Sequence, residues 1–252
     1  MDNLMRKEHL DLRLTPYWVL PMSPSTGVME FVPSTTLQEL TARSKAEGIL
    51  RFLAQHNPGT PEPLSDVPAS RLRACIANPA MENFIRSNAG YAIVSYLLDM
   101  GDRHQENLLV TNDGKLFHIG ALAQAHTVQS VFWQGSEATD AGASVLADFG
   151  FVLGMRDPKQ WAKVPVPLKR DIVEAMGGQL SEDYKHFRKL AVEAYIILRK
   201  HAALFLTLLG CMSGSAIYCR AGDSAAVSLD FALAQVRCSR RSPALSCWPS
   251  RK

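Results

Sequence analysis

The chain has 252 residues, 47% of them apolar, and a formal net charge of +3. That length and apolar content can bury the core of one large or two small globular lobes, and the charge gives no global basic field that would indicate a nucleic acid partner. Met1 to Lys7 lacks the apolar stretch of a signal peptide. The most apolar segment, Ala202 to Ile217, is interrupted by two glycines and two serines. We therefore predict a buried helix end there rather than a membrane span.

The cysteines and the tail carry weaker signals. Five cysteines form neither a CxxC pair nor an even framework, which favours reduced thiols in the cytosol over disulfides or structural zinc. Val236 to Lys252 carries five cations and no acid. A basic tail could touch a membrane or a nucleic acid, but a solvated, disordered end is the stronger prediction.

The first predicted elements are strands. Leu10 to Leu20 and Gly27 to Val32 have apolar and β-branched runs on either side of a Ser/Pro/Thr-rich turn, which indicates two strands. Leu108 to Thr111 and Lys115 to Ile119 flank Asn112-Asp113-Gly114. This turn chemistry predicts a hairpin that returns Ile119 beside Leu108.

Two longer stretches show the 3.6-residue periodicity of helices that bury one face. The first predicted core face comprises Phe84, Ile85, Ala89, Ala92, Ile93, Tyr96, Leu97 and Met100. The second helix is predicted from Ser181 to Leu209, with a core face of Phe187, Leu190, Ala191, Ala194, Ile197, Leu198, Phe205 and Leu208. Gly120 to Ala147 is weakly periodic and predicts no element. Strands followed by helices indicate an α+β domain.

The segment that carries chemistry runs from Gly101 to Asn107, between the first helix and the hairpin. It groups a carboxylate, an imidazole and an amide oxygen in one loop. Phosphoryl transfer needs such groups, because one must take the hydroxyl proton and another must hold Mg²⁺. Alone, Asp-Arg-His is more typical of an ion pair with a capping histidine. Asn107 five residues after Asp102, then a hairpin, then Asp148-Phe149-Gly150, makes phosphoryl transfer the more specific interpretation, since Asn107 and Asp148 offer hard oxygens to Mg²⁺.

A set of motifs in this order resembles the catalytic core of phosphatidylinositol 3-kinases. They are Ala89-Gly90-Tyr91, Gly101-Asp102-Arg103-His104, Asn107-Leu108-Leu109, Gly114-Lys115-Leu116-Phe117-His118-Ile119 and Asp148-Phe149-Gly150-Phe151. The class III enzymes, which act on unmodified phosphatidylinositol, are the most similar, since Leu10 to Tyr17, Arg156 to Lys159 and Val173 to Gly178 also resemble that class. The resemblance spans Asn3 to Gly210. It implies the α+β, protein-kinase-like fold of lipid kinases.

The resemblance implies a role for each residue of the loop and its metal site. His104 would be the general base on the inositol 3-hydroxyl, with Asp102 and Arg103 beside it in the catalytic loop. Asn107 and Asp148 would hold Mg²⁺, or Mn²⁺ in its place, next to ATP.

Nucleotide and lipid contacts are implied in the same way. Phe31 and Val32 fall where the hinge offers backbone groups to adenine, and Leu109 and Ile119 fall where apolar side chains sandwich the ring. Core packing is the plainer interpretation of these residues. Arg156 and Lys159 fall in the segment that faces the lipid headgroup, where cations could steer a phosphodiester. A solvated loop charge is the alternative for each of them.

The resemblance also predicts domains, partners and location. Residues 1–35 would be a remnant of the N-lobe with the hinge, residues 36–210 the C-lobe with 120–147 as an insertion, and residues 211–252 a divergent tail. The partners would be phosphatidylinositol in membranes, a kinase-like regulatory subunit and an autophagy or trafficking complex, without nucleic acid. The protein would be cytoplasmic and peripheral on endosomal or autophagic membranes.

Three departures from the family predict a fragment with impaired activity. The phosphate-covering loop and its lysine would precede the segment matched here. The family's Asp-Phe-Gly directly follows the second hairpin strand, whereas Gly120 to Ala147 stands between Ile119 and Asp148 in this chain. We expect a displaced Asp148 or a distorted strand end, because closing the loop across one peptide bond demands about 3.8 Å between its ends. The tail after Gly210 has no counterpart in the family.

Two other functions remain open. A catalytically dead kinase-like module that binds regulatory partners through its helices would share the fold. A phosphatidylinositol 4-kinase or a related protein kinase would share Asp-Arg-His and Asp-Phe-Gly, but Leu12 to Tyr17 and Arg156 to Lys159 argue against it.

Overall fold

The structure is a computed structural model, and it describes residues 1–22, 27–61, 63–98, 100, 104–119 and 168–211. The predictions for Gly120 to Ala147 and for the tail beyond residue 211 lie outside these residues.

The described residues form eight α-helices and five short strands. The helices are α1 (Asp2–Lys7), α2 (Leu37–Thr41), α3 (Ala46–His56), α4 (Ala69–Leu72), α5 (Asn78–Leu97), α6 (Arg170–Ala175), α7 (Glu182–Lys200) and α8 (Ala202–Cys211). The strands are β1 (Val19–Pro21), β2 (Gly27–Met29), β3 (Ser34–Thr36), β4 (Leu108–Thr111) and β5 (Leu116–His118). Two 3₁₀ turns, Leu64–Asp66 and Arg73–Cys75, flank α4. Helices and antiparallel strands are both present, without the strict βαβ alternation of a parallel sheet, so the predicted α+β class is confirmed.

The strands form two antiparallel sheets among the described residues. β1 pairs with β2, and β4 lies between β3 and β5. The β4–β5 pairing confirms the predicted hairpin, with Leu108 opposite His118 and Val110 opposite Leu116. The predicted register is wrong by one residue, because Ile119 lies beside Asn107, to whose carbonyl its N–H donates at 2.9 Å.

The core is built around α5, which packs against α7 on one side and against β5 on another. α5 is buried almost all round, which is typical of a central helix. Its predicted core residues from Phe84 to Ile93 are buried, but Tyr96 and Leu97 only partly so, and Met100 lies beyond the helix end.

The amino-terminal segment packs into the same core, but not as the predicted long strand. Only Val19–Pro21 is a strand, and it lies at the end of the predicted range. Leu10 and Leu12 are buried in the helical core. Arg13 has a φ of 53°, which interrupts an extended chain.

The second predicted helix is divided at His201, whose N–H bonds to the carbonyl of Leu198, three residues back, at 3.2 Å. This tight turn ends α7 before α8 begins. The predicted core of α7 is buried from Phe187 to Leu198. The prediction of Leu208 as a core residue is wrong, because it is 52% exposed. The predicted buried helix end holds for Ala202, which is 2% exposed, but not for Leu204, which is 44% exposed, and residues 212–217 lie outside the described part of the chain. Of the helices in the described ranges, none has the length and apolar character to span a bilayer.

Candidate active site

The site is held by the carboxyl-terminal end of β5 and the residues that precede β4. The ladder between the two strands continues past Leu108, since the Ile119 N–H donates to the Asn107 carbonyl. This strand end is regular up to Ile119, so the expected alternative of a distorted strand end is not observed among the described residues. Asp148 lies outside the described residues.

A tight turn connects the predicted base, His104, with the predicted metal ligand, Asn107. The N–H of Asn107 donates to the carbonyl of His104 at 3.1 Å, so residues 104–107 close as a β-turn with Gln105 and Glu106 at its tip. The His104 side chain is exposed, whereas Asn107 is only 1% exposed. The turn thus connects the main chains of these two predicted site residues. Asp102 and Arg103, predicted beside them, lie outside the described part of the chain.

The side-chain oxygen of Asn107 fits a cation ligand. Its Oδ1 is buried and has no hydrogen-bond partner among the residues that the structure describes. A buried amide oxygen without a partner costs free energy, and such atoms in native structures usually have a ligand, an ion or a water to satisfy them. A hard oxygen of this kind suits Mg²⁺. Asn107 is therefore the described residue that would hold the metal, with Asp148 as its predicted second ligand.

The outer face of the hairpin is apolar. Successive strand residues point to opposite faces, and Leu108, Val110 and Leu116 belong to the helical core. Leu109 and its cross-strand partner Phe117 therefore point to the other face. Ile119, two residues after Phe117 and 4% exposed, lies on that face as well.

The outer face contains Leu109 and Ile119, the two residues predicted to sandwich adenine. It also includes Phe117 and Tyr17, which the sequence prediction missed as site residues. Phe117 is opposite Leu109 and two residues before Ile119. Tyr17 packs edge-on against Phe117, with ring centroids 6.2 Å apart. The Tyr17 hydroxyl also lies 3.4 Å from the His118 carbonyl. The alternation of the strand could have identified Phe117, but no pattern in the sequence links it to Tyr17.

The predicted hinge runs into the same sheet. Phe31 is 57% exposed and Val32 is half-buried. The Val32 carbonyl accepts a hydrogen bond from Ser34 Oγ at 2.8 Å, at the start of β3. Ser34 pairs with Thr111 and Thr36 pairs with Leu109, so the hinge enters near the end of β4 that is farther from Asn107. The distance along β4 from Thr111 to Asn107 is about 13 Å at the usual rise of a strand.

The hairpin turn is hydrogen-bonded to α5 and to the residue that follows α3. Asn83 Nδ2 donates to the Asp113 carbonyl at 2.9 Å, and Asn57 Nδ2 donates to the Asn112 carbonyl. Burial alone would raise the pKa of Asp113, but hydrogen bonds from Lys115 and Thr111 outweigh it and hold that pKa below its ordinary value. The turn therefore keeps a charged carboxylate at neutral pH and fixes the hairpin from its closed end.

The cations predicted to face the lipid headgroup are not among the described residues. Arg156 and Lys159 lie outside the described residues, as do the Asp-Phe-Gly residues. The described site is thus one turn, one buried amide oxygen and one apolar hairpin face.

Comparison with known proteins agrees with this geometry. A family model described as phosphatidylinositol 3- and 4-kinase matches residues 1–220. The chain belongs to the phosphatidylinositol 3- and 4-kinase family. The predicted resemblance is thereby confirmed, and the α+β fold is the kinase-like fold of that family.

The individual relatives indicate which members of the family the chain resembles. The chain is 37% identical over 217 residues to a soybean protein named phosphatidylinositol 3-kinase, root isoform, covering 86% of this chain and 22% of the relative. Proteins named phosphatidylinositol 3-kinase VPS34 from Arabidopsis thaliana and Saccharomyces cerevisiae are each 36% identical over 86% of this chain, which covers 22% and 20% of them. The chain thus spans about a fifth of the length of these curated relatives.

Proposed function

We propose that this chain is the catalytic part of an ATP-dependent phosphatidylinositol 3-kinase, which transfers the γ-phosphate of ATP to the 3-hydroxyl of phosphatidylinositol. The observation that carries the proposal is the turn from His104 to Asn107, closed by a 3.1 Å hydrogen bond and continuous with the hairpin ladder. His104 at the start of this turn is exposed, and Asn107 at its end has a buried amide oxygen without a hydrogen-bond partner among the described residues. The relatives named phosphatidylinositol 3-kinase support the choice of reaction.

Each described residue has a defined task in this reaction. The His104 imidazole accepts the proton of the inositol hydroxyl as the hydroxyl oxygen attacks the γ-phosphorus, and ADP departs with the electrons of the broken bond. Asn107 Oδ1 would hold Mg²⁺, which would neutralise phosphate charge. Leu109, Phe117 and Ile119 form an apolar wall for the adenine ring, and the hinge at Phe31 and Val32 supplies polar backbone groups.

The rate of transfer should be lower than in a relative whose Asp-Phe-Gly follows the hairpin directly. The ladder is regular up to Ile119, which lies beside Asn107, while Asp148 comes only after 28 intervening residues. The second metal ligand must therefore be brought back across a long loop. The entropy of closing such a loop is only about 3 kcal/mol, so the cost lies mainly in geometry.

Substrate contacts, partners and location extend the proposal. Arg156 and Lys159 would approach the lipid phosphodiester. A kinase-like regulatory subunit and a trafficking or autophagy complex would bring the protein to endosomal or autophagic membranes as a peripheral protein. These points rest on the resemblance to class III enzymes.

The test measures transfer of phosphate from ATP to phosphatidylinositol vesicles with and without Mg²⁺, and identifies the inositol position that is phosphorylated. Two chains are compared with the full chain. One lacks residues 120–147, so that Ile119 joins Asp148, and the other replaces them with a Gly/Ser linker of equal length. We expect 3-phosphorylated product. The chain without residues 120–147 should form it faster than the full chain, and the chain with the linker should form it no faster than the full chain.

Other outcomes would overturn the proposal. Product at the 4-position would assign the chain to the other branch of the family. Absence of product from all three chains, together with absence of a nucleotide-induced thermal shift, would favour the catalytically dead module that binds regulatory partners.

A further inference from the structure

Gln105, at the tip of the turn from His104 to Asn107, makes hydrogen bonds to two other elements. Its main-chain carbonyl accepts a hydrogen bond from the N–H of Gln38, in the first turn of α2, at 3.1 Å. Its side-chain Nε2 donates to Oδ2 of Asp171, in the first turn of α6, also at 3.1 Å. Gln105 therefore connects the turn between His104 and Asn107 to two separate helices.

Helix α6, which carries Asp171, is packed into the core. Ile172, Ala175 and Met176 at α6 are 2%, 1% and 0% exposed, and α6 packs against α3. α3 also packs against α2, so both partners of Gln105 belong to one packed group of helices. Asp171 lies 66 residues from Gln105 in the chain, beyond the Asp-Phe-Gly.

The two ends of the turn are held differently. Asn107 is fixed by the hairpin, because its carbonyl accepts the N–H of Ile119. On the other side of the tip, His104 directly precedes Gln105 and lies outside the hairpin ladder. The contacts of Gln105 thus bear on the orientation of His104 much more than on the position of Asn107.

We propose that Gln105 is a positioning residue, whose hydrogen bond to Asp171 sets the direction of the His104 imidazole and makes the chemical step depend on the position of α6. The inference rests on the proposed kinase reaction. A displacement of about 1 Å at a reacting group can cost on the order of 10²-fold in rate. We expect a smaller loss, about tenfold in kcat, because the main-chain bond to Gln38 remains.

The test exchanges donor and acceptor. Gln105→Glu places two carboxylates against each other, and adding Asp171→Asn restores a hydrogen bond of the same shape with its polarity reversed. Gln55→Glu, at an exposed position of α3, makes the same charge change elsewhere and serves as control. kcat, KM for phosphatidylinositol and the stoichiometry and Kd of Mg·ATP are measured for each, in the chain lacking residues 120–147 if that chain is faster.

The account predicts that Gln105→Glu loses about tenfold in kcat with KM, nucleotide stoichiometry and Kd unchanged, and that the double variant regains most of the loss. Normal stoichiometry excludes a simple loss of folded protein. Equal kcat in Gln105→Glu and Gln55→Glu, or a double variant as slow as the single, would overturn the inference.

A second measurement separates this inference from the proposed function. Amide hydrogen exchange at residues 104–107 is compared between the parent, Asp171→Ala and Asp171→Asn. Faster exchange in Asp171→Ala alone supports the link even if no chain transfers phosphate, in which case the proposed function fails and the link stands as a structural one without a role in positioning. Unchanged exchange in Asp171→Ala shows that the bond does not hold the turn.

Discussion

Ser87, fully buried in α5, accepts a hydrogen bond from the main-chain N–H of Leu116 in β5 at 2.8 Å. The same hydroxyl donates to the Asn83 carbonyl one turn back in the helix. One side chain therefore joins the central helix to the hairpin that carries the site. We expect Ser87→Ala to lower the free energy of unfolding by about 1–3 kcal/mol, because the Leu116 N–H would be left buried without its acceptor.

Urea denaturation checks this value against Ser65→Ala, which removes an exposed hydroxyl and should change stability by less than about 0.5 kcal/mol. Equal effects of the two substitutions would show that the contact between Ser87 and Leu116 does not support the hairpin.

Gly114 closes the hairpin in a backbone conformation that favours glycine. Its φ is 89°, and a Cβ there would lie 2.5 Å from the Ala80 carbonyl oxygen. Gly178 has a similar φ of 85°, but a Cβ would meet nothing within 4 Å. We expect Gly178→Ala to cost about 1–2 kcal/mol of unfolding free energy from φ alone, and Gly114→Ala to cost about 1–3 kcal/mol more from crowding.

The comparison of the two alanine variants by chemical denaturation isolates the close approach between the hairpin turn and α5. If Gly114→Ala is no less stable than Gly178→Ala, the turn does not dock as described.

Asn107 should contribute to function more than to stability. Within the described part of the chain its buried Oδ1 has no hydrogen-bond partner. Asn107→Leu should therefore change the free energy of unfolding without metal by less than about 1 kcal/mol, while a metal ligand is lost. We expect Mg²⁺-dependent nucleotide affinity to fall at least about tenfold. Calorimetric titration of Mg·ATP and thermal unfolding in EDTA measure the two quantities separately. A large loss of stability with unchanged affinity would identify Asn107 as a structural residue.

Glu82 links α5 to α7 and should make stability depend on pH. Burial would raise the pKa of Glu82, but hydrogen bonds from His186 and Arg86 hold it below the ordinary value of 4.5. A carboxyl with a lowered folded pKa adds stability that is complete above 4.5 and is lost as the pH falls through the folded pKa. Because the side chain is 39% exposed, we expect less than about 1 kcal/mol.

The difference in melting temperature between the parent and Glu82→Gln should therefore be present at pH 6 and shrink below pH 4. Glu193→Gln, at an exposed position of α7, should differ little from the parent throughout. A difference for Glu82→Gln that grows as the pH falls would contradict the sign of this effect.

Local chemistry explains which parts of the fold the sequence predicted. Asn112-Asp113-Gly114 between apolar runs specifies a hairpin without help from distant residues, and the buried faces of α5 and α7 follow from their periodicity. β3 could not be predicted, because Ser34-Thr35-Thr36 is short and has no apolar alternation; it becomes a strand by pairing with β4.

In the candidate site, too, contacts between residues close in the chain were predictable and contacts between distant residues were not. His104 and Asn107 are close in the chain, so their proximity was predictable. The contacts of Gln105 with Asp171 and of Tyr17 with Phe117 join residues 66 and 100 positions apart, and they depend on how the helices and the hairpin pack. The long strand predicted from Leu10 failed for a related reason, since Leu10 and Leu12 are buried by helices rather than by a sheet.

The most direct test of the account is the rate of Mg²⁺-dependent phosphate transfer to phosphatidylinositol after His104→Ala. It is measured in the faster of the full chain and the chain without residues 120–147, with His56→Ala at the exposed end of α3 as control. Loss of the general base should lower kcat by about 10²–10⁴-fold, with Mg·ATP binding retained and His56→Ala unchanged. A His104→Ala variant that forms 3-phosphorylated lipid at the parent rate would contradict the account.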